Sequence, residues 1–194
     1  RREINKILLA YTRLLRPEIP DLIKAWNLLG LLDFIRAKSL LSNEYKCVIP
    51  ELTDEPIFIW RQARHPLLEQ KLKSQDKQIT PLDLSLDKDN RILVISGPNA
   101  GGKSVCLKTI GLVQYMLQCG LAVPMEIDSK CGIFHDMFID IGDSQSLEND
   151  LSTYSSHLLN MKELIRHGNS RTLFLIDEFG TGTEPQLGGA IAEA

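Results

Sequence analysis

Eight consecutive residues constrain this chain more than any other part of it. They read Gly97-Pro98-Asn99-Ala100-Gly101-Gly102-Lys103-Ser104 and match Gly-x-x-x-x-Gly-Lys-Ser/Thr at every fixed position. A β-branched run from Ile92 to Ser96 precedes them, and an apolar helical pattern from about Lys103 to Cys119 follows. A buried strand that leads through a glycine-rich turn into a helix is the setting in which this pattern binds phosphate. The sequence therefore predicts a phosphate loop.

Each residue type in this loop has a chemical reason. Gly97, Gly101 and Gly102 let the backbone curl around a phosphate because no Cβ stands in the way. Lys103 is expected to reach the β- and γ-phosphates, and the Ser104 hydroxyl to coordinate Mg²⁺. The predicted ATP-binding segment is completed by Pro98, Asn99, Ala100 and Val105. The alternative is a glycine-rich turn without a ligand.

A second motif lies 74 positions after Lys103. There an apolar strand, 172–176, ends in the carboxylates Asp177 and Glu178. Beside a phosphate loop, such an Asp holds Mg²⁺, usually through water, and an adjacent Glu can deprotonate the attacking water. The sequence thus predicts Asp177 as a metal ligand together with Ser104, and Glu178 as the catalytic base. The alternative is a pair of ordinary strand-end carboxylates that face solvent.

The chain divides by pattern into a helical segment and an α/β domain. Residues 1–46 carry apolar side chains at helical spacing, and the break at Pro17 predicts two antiparallel helices. Residues 47–194 alternate between strand and helix patterns, which predicts an α/β domain with a largely parallel sheet. Trp26 and Trp60 stand in apolar surroundings and are predicted core residues.

Composition excludes several classes of protein. With 43% apolar and 24% charged residues, the 194-residue chain has the composition of a globular protein with a core. Its net charge of −3 gives no overall attraction to nucleic acid or anionic lipid. The longest uncharged stretch, 109–125, is too short and too polar to span a membrane. No apolar signal-peptide core opens the chain, and the four cysteines form no Cys-x-x-Cys pair, so we expect a cytoplasmic protein with reduced thiols.

Together these residues resemble the ATPase domain of the MutS family. The similarity rests on the phosphate loop and on three further segments: Arg64–Glu69, Leu151–Tyr154 and Asp177–Thr183. It extends over about residues 57–194, and the helices before it resemble the family's lever region. Three segments are similar to one bacterial branch in particular: Asp140–Ser146, Ser155–His157 and Gly180–Pro185. That branch is associated with recombination control and ribosome rescue, and differs from the mismatch-recognising branch.

The resemblance implies a P-loop NTPase of the ABC-ATPase type that binds ATP or ADP with Mg²⁺ and works as a dimer. Ser152 and Thr153 of one subunit would contact the γ-phosphate held by the phosphate loop of the other. A simple helix N-cap is the alternative for Ser152. Mismatch-recognising members stack an aromatic residue on adenine, and Ile79 at that place in this chain is the candidate base contact.

The implied function is ATP binding and hydrolysis that closes a homodimer. Through the helical lever, the nucleotide would control the grip on branched or mismatched DNA, as in mismatch repair or recombination control, or on a stalled ribosome. The parts that recognise nucleic acid would lie outside these residues, and the resemblance also allows an endonuclease activity in a domain absent here. Because the chain lacks an initiator Met and stops within a helical pattern, we expect a longer protein.

Two other functions fit parts of the sequence. A transporter nucleotide-binding subunit has the same type of ATPase, but Leu-Ser-Gly-Gly-Gln is absent from this chain and only Ser152-Thr153-Tyr154 stands at the corresponding place. A nucleotide-gated scaffold would bind ATP and scarcely hydrolyse it, and Glu178 argues against that function. The four histidines have no metal-ligand spacing among themselves, and we predict no metal site from them.

Overall fold

The computed structural model describes residues 1–98, 101–141 and 161–177. The chain forms two compact units, Arg1–Glu44 and Tyr45–Ala194.

The first unit consists of two helices joined by a short 3-10 segment. Helix α1 (Arg2–Leu15) and helix α2 (Ile19–Glu44) are separated by a single 3-10 turn, Arg16–Glu18. Pro17 lies in the first turn of that segment, where its missing N–H costs no hydrogen bond. Leu15, Arg16 and Ile19 all keep right-handed helical backbone angles. The predicted antiparallel reversal is therefore wrong, because a reversal needs residues outside the helical region.

The apolar side chains of this unit are exposed. None of the residues of α1 or α2 is buried, and the side chain of Trp26 is 77% exposed. The prediction of Trp26 as a core residue is wrong. A row of apolar side chains along a helix shows which face can be buried. It does not specify which other element covers that face.

The described part of the second unit contains helices interspersed among its strands. Their bounds are β1 (Glu51–Thr53), β2 (Phe58–Ala63), α3 (Pro66–Lys73), β3 (Leu82–Leu86), α4 (Lys103–Gln118), β4 (Lys130–Gly132), β5 (Asp136–Asp140) and β6 (Thr172–Ile176). Residues 161–167, before β6, are helical and are called α5 below. This order confirms an α/β domain.

The described strands form two sheets, one mixed and one parallel, so the prediction of a largely parallel sheet is not confirmed. The larger sheet has the order β1-β4-β2-β3, and only its β1–β4 pair is parallel. The smaller sheet is the parallel pair β5–β6. The alternating pattern of β2 and β3 specifies which faces are buried, and it does not specify the direction of pairing. One core joins both sheets to α4, with Trp60 fully buried as predicted.

The run Ile92 to Ser96 is not a strand in the structure, contrary to the prediction. Ile92 is 86% and Val94 81% exposed, and neither pairs with a strand among the described residues. A β-branched run favours extended backbone. A strand also needs a neighbouring strand that forms hydrogen bonds with its backbone N–H and C=O groups, and the local sequence pattern does not specify that neighbour.

Candidate nucleotide-binding site

The predicted phosphate loop meets α4 at a glycine cap. Gly102 occupies the N-cap position with φ 84° and ψ 16°, in the left-handed region that disfavours residues with a Cβ. Its carbonyl accepts the first helical hydrogen bond of α4, from Cys106 N at 2.9 Å. Before it, Gly101 N donates to Pro98 O at 2.9 Å. Backbone hydrogen bonds therefore hold both Gly101 and Gly102 at the start of α4.

The Lys103 side chain reaches back from the start of α4 to the first residue of the loop, Gly97. Its Nζ donates a 2.6 Å hydrogen bond to the Gly97 carbonyl, six residues earlier. The ammonium group is therefore held at the loop itself. Ser104, the next residue, is half-buried, and Val105 is 41% exposed.

The direction of α4 relative to the small sheet follows from contacts at two positions along the helix. Near the C-terminal end of α4, Gln118 Oε1 accepts a hydrogen bond from Phe134 N (3.0 Å), just before β5 begins. In the middle of α4, a Cβ added to Gly111 would lie 3.0 Å from Leu175 and 3.5 Å from Ile139, both near the ends of their strands. Helix α4 therefore runs antiparallel to β5 and β6. Its N-terminus lies toward their carboxyl ends.

Asp177 lies at that same edge. It directly follows β6, and its backbone N–H donates to the Asp140 carbonyl at 2.9 Å. Leu173 and Leu175 belong to the core that includes α4, and strand alternation puts Asp177 on the same face as these two residues. The structure thus brings Asp177 and the start of α4 to one edge and one face of the β5–β6 sheet.

The groups at this edge fit a phosphate and a divalent cation. The first turn of a helix leaves backbone N–H groups without helical partners, and its positive dipole end attracts an anion. Among the described residues, no atom lies within 4 Å of a Cβ added to Gly97 or Gly102. The Ser104 hydroxyl and the Asp177 carboxylate supply oxygen atoms, the ligands that Mg²⁺ prefers.

Of the remaining predicted site residues, only Ile79 lies within the described part of the chain. Ile79 is half-buried in the segment between α3 and β3. Five others lie outside the described residues: Asn99, Ala100, Ser152, Thr153 and Glu178. Their roles stay predictions.

Comparison with known proteins identifies the family. The family model of MutS domain V matches residues 93–194. The chain belongs to the MutS family. This match covers the loop, α4, both strands of the small sheet and the segments Leu151–Tyr154 and Asp177–Thr183, whereas Arg64–Glu69 precedes it.

Curated relatives confirm the similarity to the bacterial branch associated with recombination control. Proteins named endonuclease MutS2 are 41% identical over 191 residues in Carboxydothermus hydrogenoformans, 44% over 192 in Ligilactobacillus salivarius and 42% over 194 in Enterococcus faecalis. These alignments cover 98%, 99% and 100% of this chain, respectively, and 24% of each relative. The chain thus spans about a quarter of the length of the curated relatives it matches.

The structure adds features to this MutS domain that the sequence reasoning missed. Asp140 ends β5 as Asp177 follows β6, and the two strands pair in register. Because side chains alternate along a strand, Asp140 lies on the face of the small sheet opposite to α4. There it lines a cavity with Phe138, Ile176 and residues of α5. The sequence signal for Asp140 was an apolar strand that ends in a carboxylate, as for Asp177.

Among the described helices, none is long and apolar enough to cross a bilayer.

Proposed function

We propose that this domain binds and hydrolyses ATP with Mg²⁺, and that the nucleotide drives closure of a dimer of the full-length protein. The observation that carries the proposal is the placement of the α4 N-terminus and Asp177 at one edge and one face of the β5–β6 sheet. A glycine-capped helix start beside a carboxylate offers an anion site next to a cation ligand.

Separate groups of this chain would contact the phosphates, the Mg²⁺ ion, the attacking water and the base. Backbone N–H groups at the start of α4 and the Lys103 ammonium would hold the β- and γ-phosphates. Ser104 and Asp177 would hold Mg²⁺. When bound, this ion would neutralise negative charge on the phosphates. Glu178 would orient and deprotonate the attacking water. Ile79 would contact the base.

Dimer closure rests on residues of a second subunit. Ser152 and Thr153 would donate to the γ-phosphate held across the interface, so ATP would contact both subunits only in the closed form. A ligand that binds one conformation better shifts the population toward it, and hydrolysis removes that preference. Membership of the MutS family argues against a transporter subunit.

The wider role is proposed from the family. MutS proteins act on DNA, and the relatives compared above are named endonuclease MutS2. We propose that the full-length protein works in the cytoplasm on branched or mismatched DNA, or on stalled ribosomes, through regions beyond these residues. An endonuclease activity would belong to one of those regions.

Titration of Mg²⁺·ADP by calorimetry tests nucleotide binding. Lys103→Ala should weaken binding about tenfold or more, because it removes a charge-assisted contact to phosphate. Lys108→Ala, an exposed lysine of the same helix, is the matched control and should bind like the unchanged protein. Equal affinity of Lys103→Ala and Lys108→Ala in folded protein would contradict the proposal.

Turnover by the full-length protein tests hydrolysis. Glu178→Gln should retain binding of Mg²⁺·ATP and lose turnover by about a hundredfold or more, since it removes the general base. Turnover that survives this substitution would exclude Glu178 as the base. Turnover unaffected by Lys103→Ala would contradict the enzyme proposal as a whole.

A further inference from the structure

Arg64 connects parts of the second unit that are far apart in sequence. It directly follows β2, and its guanidinium makes hydrogen bonds in two directions. Nη2 donates to the carbonyls of Tyr45 (3.1 Å) and Lys46 (3.4 Å), while Nε donates to the Glu69 carboxylate (3.2 Å). The residues 45–48 immediately follow α2 and are called the junction segment below.

The partners of Arg64 hold it firmly. The side chains of Arg64 and Glu69 are only 17% and 11% exposed, and Lys73 pairs with the other Glu69 oxygen at 2.9 Å. Burial alone would raise the pKa of Glu69, but hydrogen bonds from Lys73 and Arg64 hold it below its ordinary value. The carboxylate therefore stays charged and keeps the guanidinium oriented toward the junction segment.

The junction segment contains a backbone conformation that needs support. Lys46 has φ 49°, in the left-handed region that is unfavourable for a residue with a Cβ. Such conformations persist where surrounding contacts fix them. Here the Lys46 carbonyl and that of its neighbour Tyr45 both accept from one side chain, Arg64.

The same segment is bound to the end of α4. After Gly120 ends the helix, Val123 exchanges two backbone hydrogen bonds of 2.9 Å with Val48 of the junction segment. The next residue, Pro124, accepts a 2.8 Å hydrogen bond from the Arg64 backbone N–H. The chain that leaves α4 is therefore joined both to the junction segment and to the residue whose side chain supports it.

These contacts form a continuous path. One end of α4 carries the phosphate loop, and the other leads within a few residues to Val123, Pro124 and Arg64. We propose that Arg64 is a positioning residue that couples the nucleotide state of the phosphate loop to helix α2, by fixing the junction segment to the chain that leaves α4. This inference rests on the proposed nucleotide function. Arginine is required because a planar guanidinium serves three acceptors at once, whereas a lysine ammonium cannot span them.

Hydrogen exchange in the full-length protein tests the coupling. Exchange is measured for peptides covering residues 38–48 with and without saturating Mg²⁺·ADP, after calorimetry has established binding in each sample. The variants are Arg64→Ala and Arg64→Lys. Arg61→Ala is the matched control, because Arg61 is an exposed arginine of the same strand end.

In the unchanged protein and in Arg61→Ala, we expect nucleotide to change exchange of this segment about fivefold or more. In both Arg64 variants we expect nucleotide binding to remain and that change to disappear. A purely structural role would raise exchange equally with and without nucleotide and leave the difference intact. If Arg64→Ala does not fold, Arg64→Lys decides the question.

Two results would overturn the inference. One is a nucleotide-dependent change that persists in the Arg64 variants. The other is unchanged protein that binds nucleotide without any response in residues 38–48. Failure of the proposed function would look different, since the calorimetric titration of the unchanged protein would itself show no binding.

Discussion

His65 performs a structural task that depends on its protonation state. It is the N-cap of α3, and its Nδ1 accepts a hydrogen bond from Leu68 N at 3.2 Å. Only an unprotonated Nδ1 can accept that bond. Burial lowers the pKa of His65, and the charge of Lys108 lowers it further. The folded protein therefore holds this ring neutral more strongly than the unfolded chain does.

This difference predicts a pH dependence of stability. Because the folded pKa of His65 lies below the ordinary value of about 6.5, the unfolded state binds the proton more readily. The free energy of unfolding should fall as the pH drops below about 6.5. His65→Asn keeps a good N-cap without a titrating ring, so it should lose less stability between pH 7.5 and 5.5, set by about one unit on either side of that value. Urea unfolding at both pH values checks this, and equal losses would contradict it.

The residue scale also shows what a pattern leaves out. Asp177 was predicted because it follows an apolar strand in a chain with a phosphate loop, and the structure places it on the face that α4 covers. Trp26 and Trp60 have similar apolar neighbours in sequence, yet one is exposed and the other fully buried. Burial depends on a partner element, which a local pattern does not contain.

At the scale of elements, α4 was predictable because it carries its own end signals. The predicted helix from about Lys103 to Cys119 is observed as Lys103–Gln118. Gly102 caps one end, and Gly120 follows the other with φ 73°. The strand β6 was predicted with its observed bounds, since its run pairs with β5. The run at 92–96 carries an equal local preference and no such pairing among the described residues, which is why its prediction failed.

The close contact of Gly111 with the small sheet makes this residue a test of packing. Gly111→Ala should change the free energy of unfolding by less than about 1 kcal/mol, because better helix propensity offsets a tight contact with the flexible Leu175 side chain. Gly111→Leu should cost about 1–3 kcal/mol, since it must displace Leu175 and Ile139.

Gly30 provides the control for this pair. It lies in α2, and no described atom is within 4 Å of an added Cβ. Gly30→Leu should therefore not destabilise the chain. Urea unfolding of the three variants measures the differences, and a Gly111→Leu protein as stable as Gly111→Ala would show that α4 does not pack tightly there.

At the scale of the whole molecule, the two units differ in how they are stabilised. The second unit has a buried core around Trp60, Phe58 and Val113. The helices of the first unit bury none of their residues. Isolated helices gain little stability without tertiary packing, because nucleation is costly and propagation nearly neutral.

The 194-residue chain should therefore unfold in two stages. Trp26→Phe leaves Trp60 as the sole tryptophan, so its fluorescence reports the second unit alone. In a urea titration, helical circular dichroism should begin to fall before the Trp60 fluorescence changes. Coincident transitions would show that the two units unfold as one.

Gly111 also lies almost at the midpoint of α4. Lys103 is eight residues, or about 12 Å, before it, and Gln118 is seven residues, or about 10 Å, after it. At this midpoint the helix backbone lies close to Leu175 of the small sheet. A rigid tilt of α4 about Gly111 would move its two ends by similar distances in opposite directions.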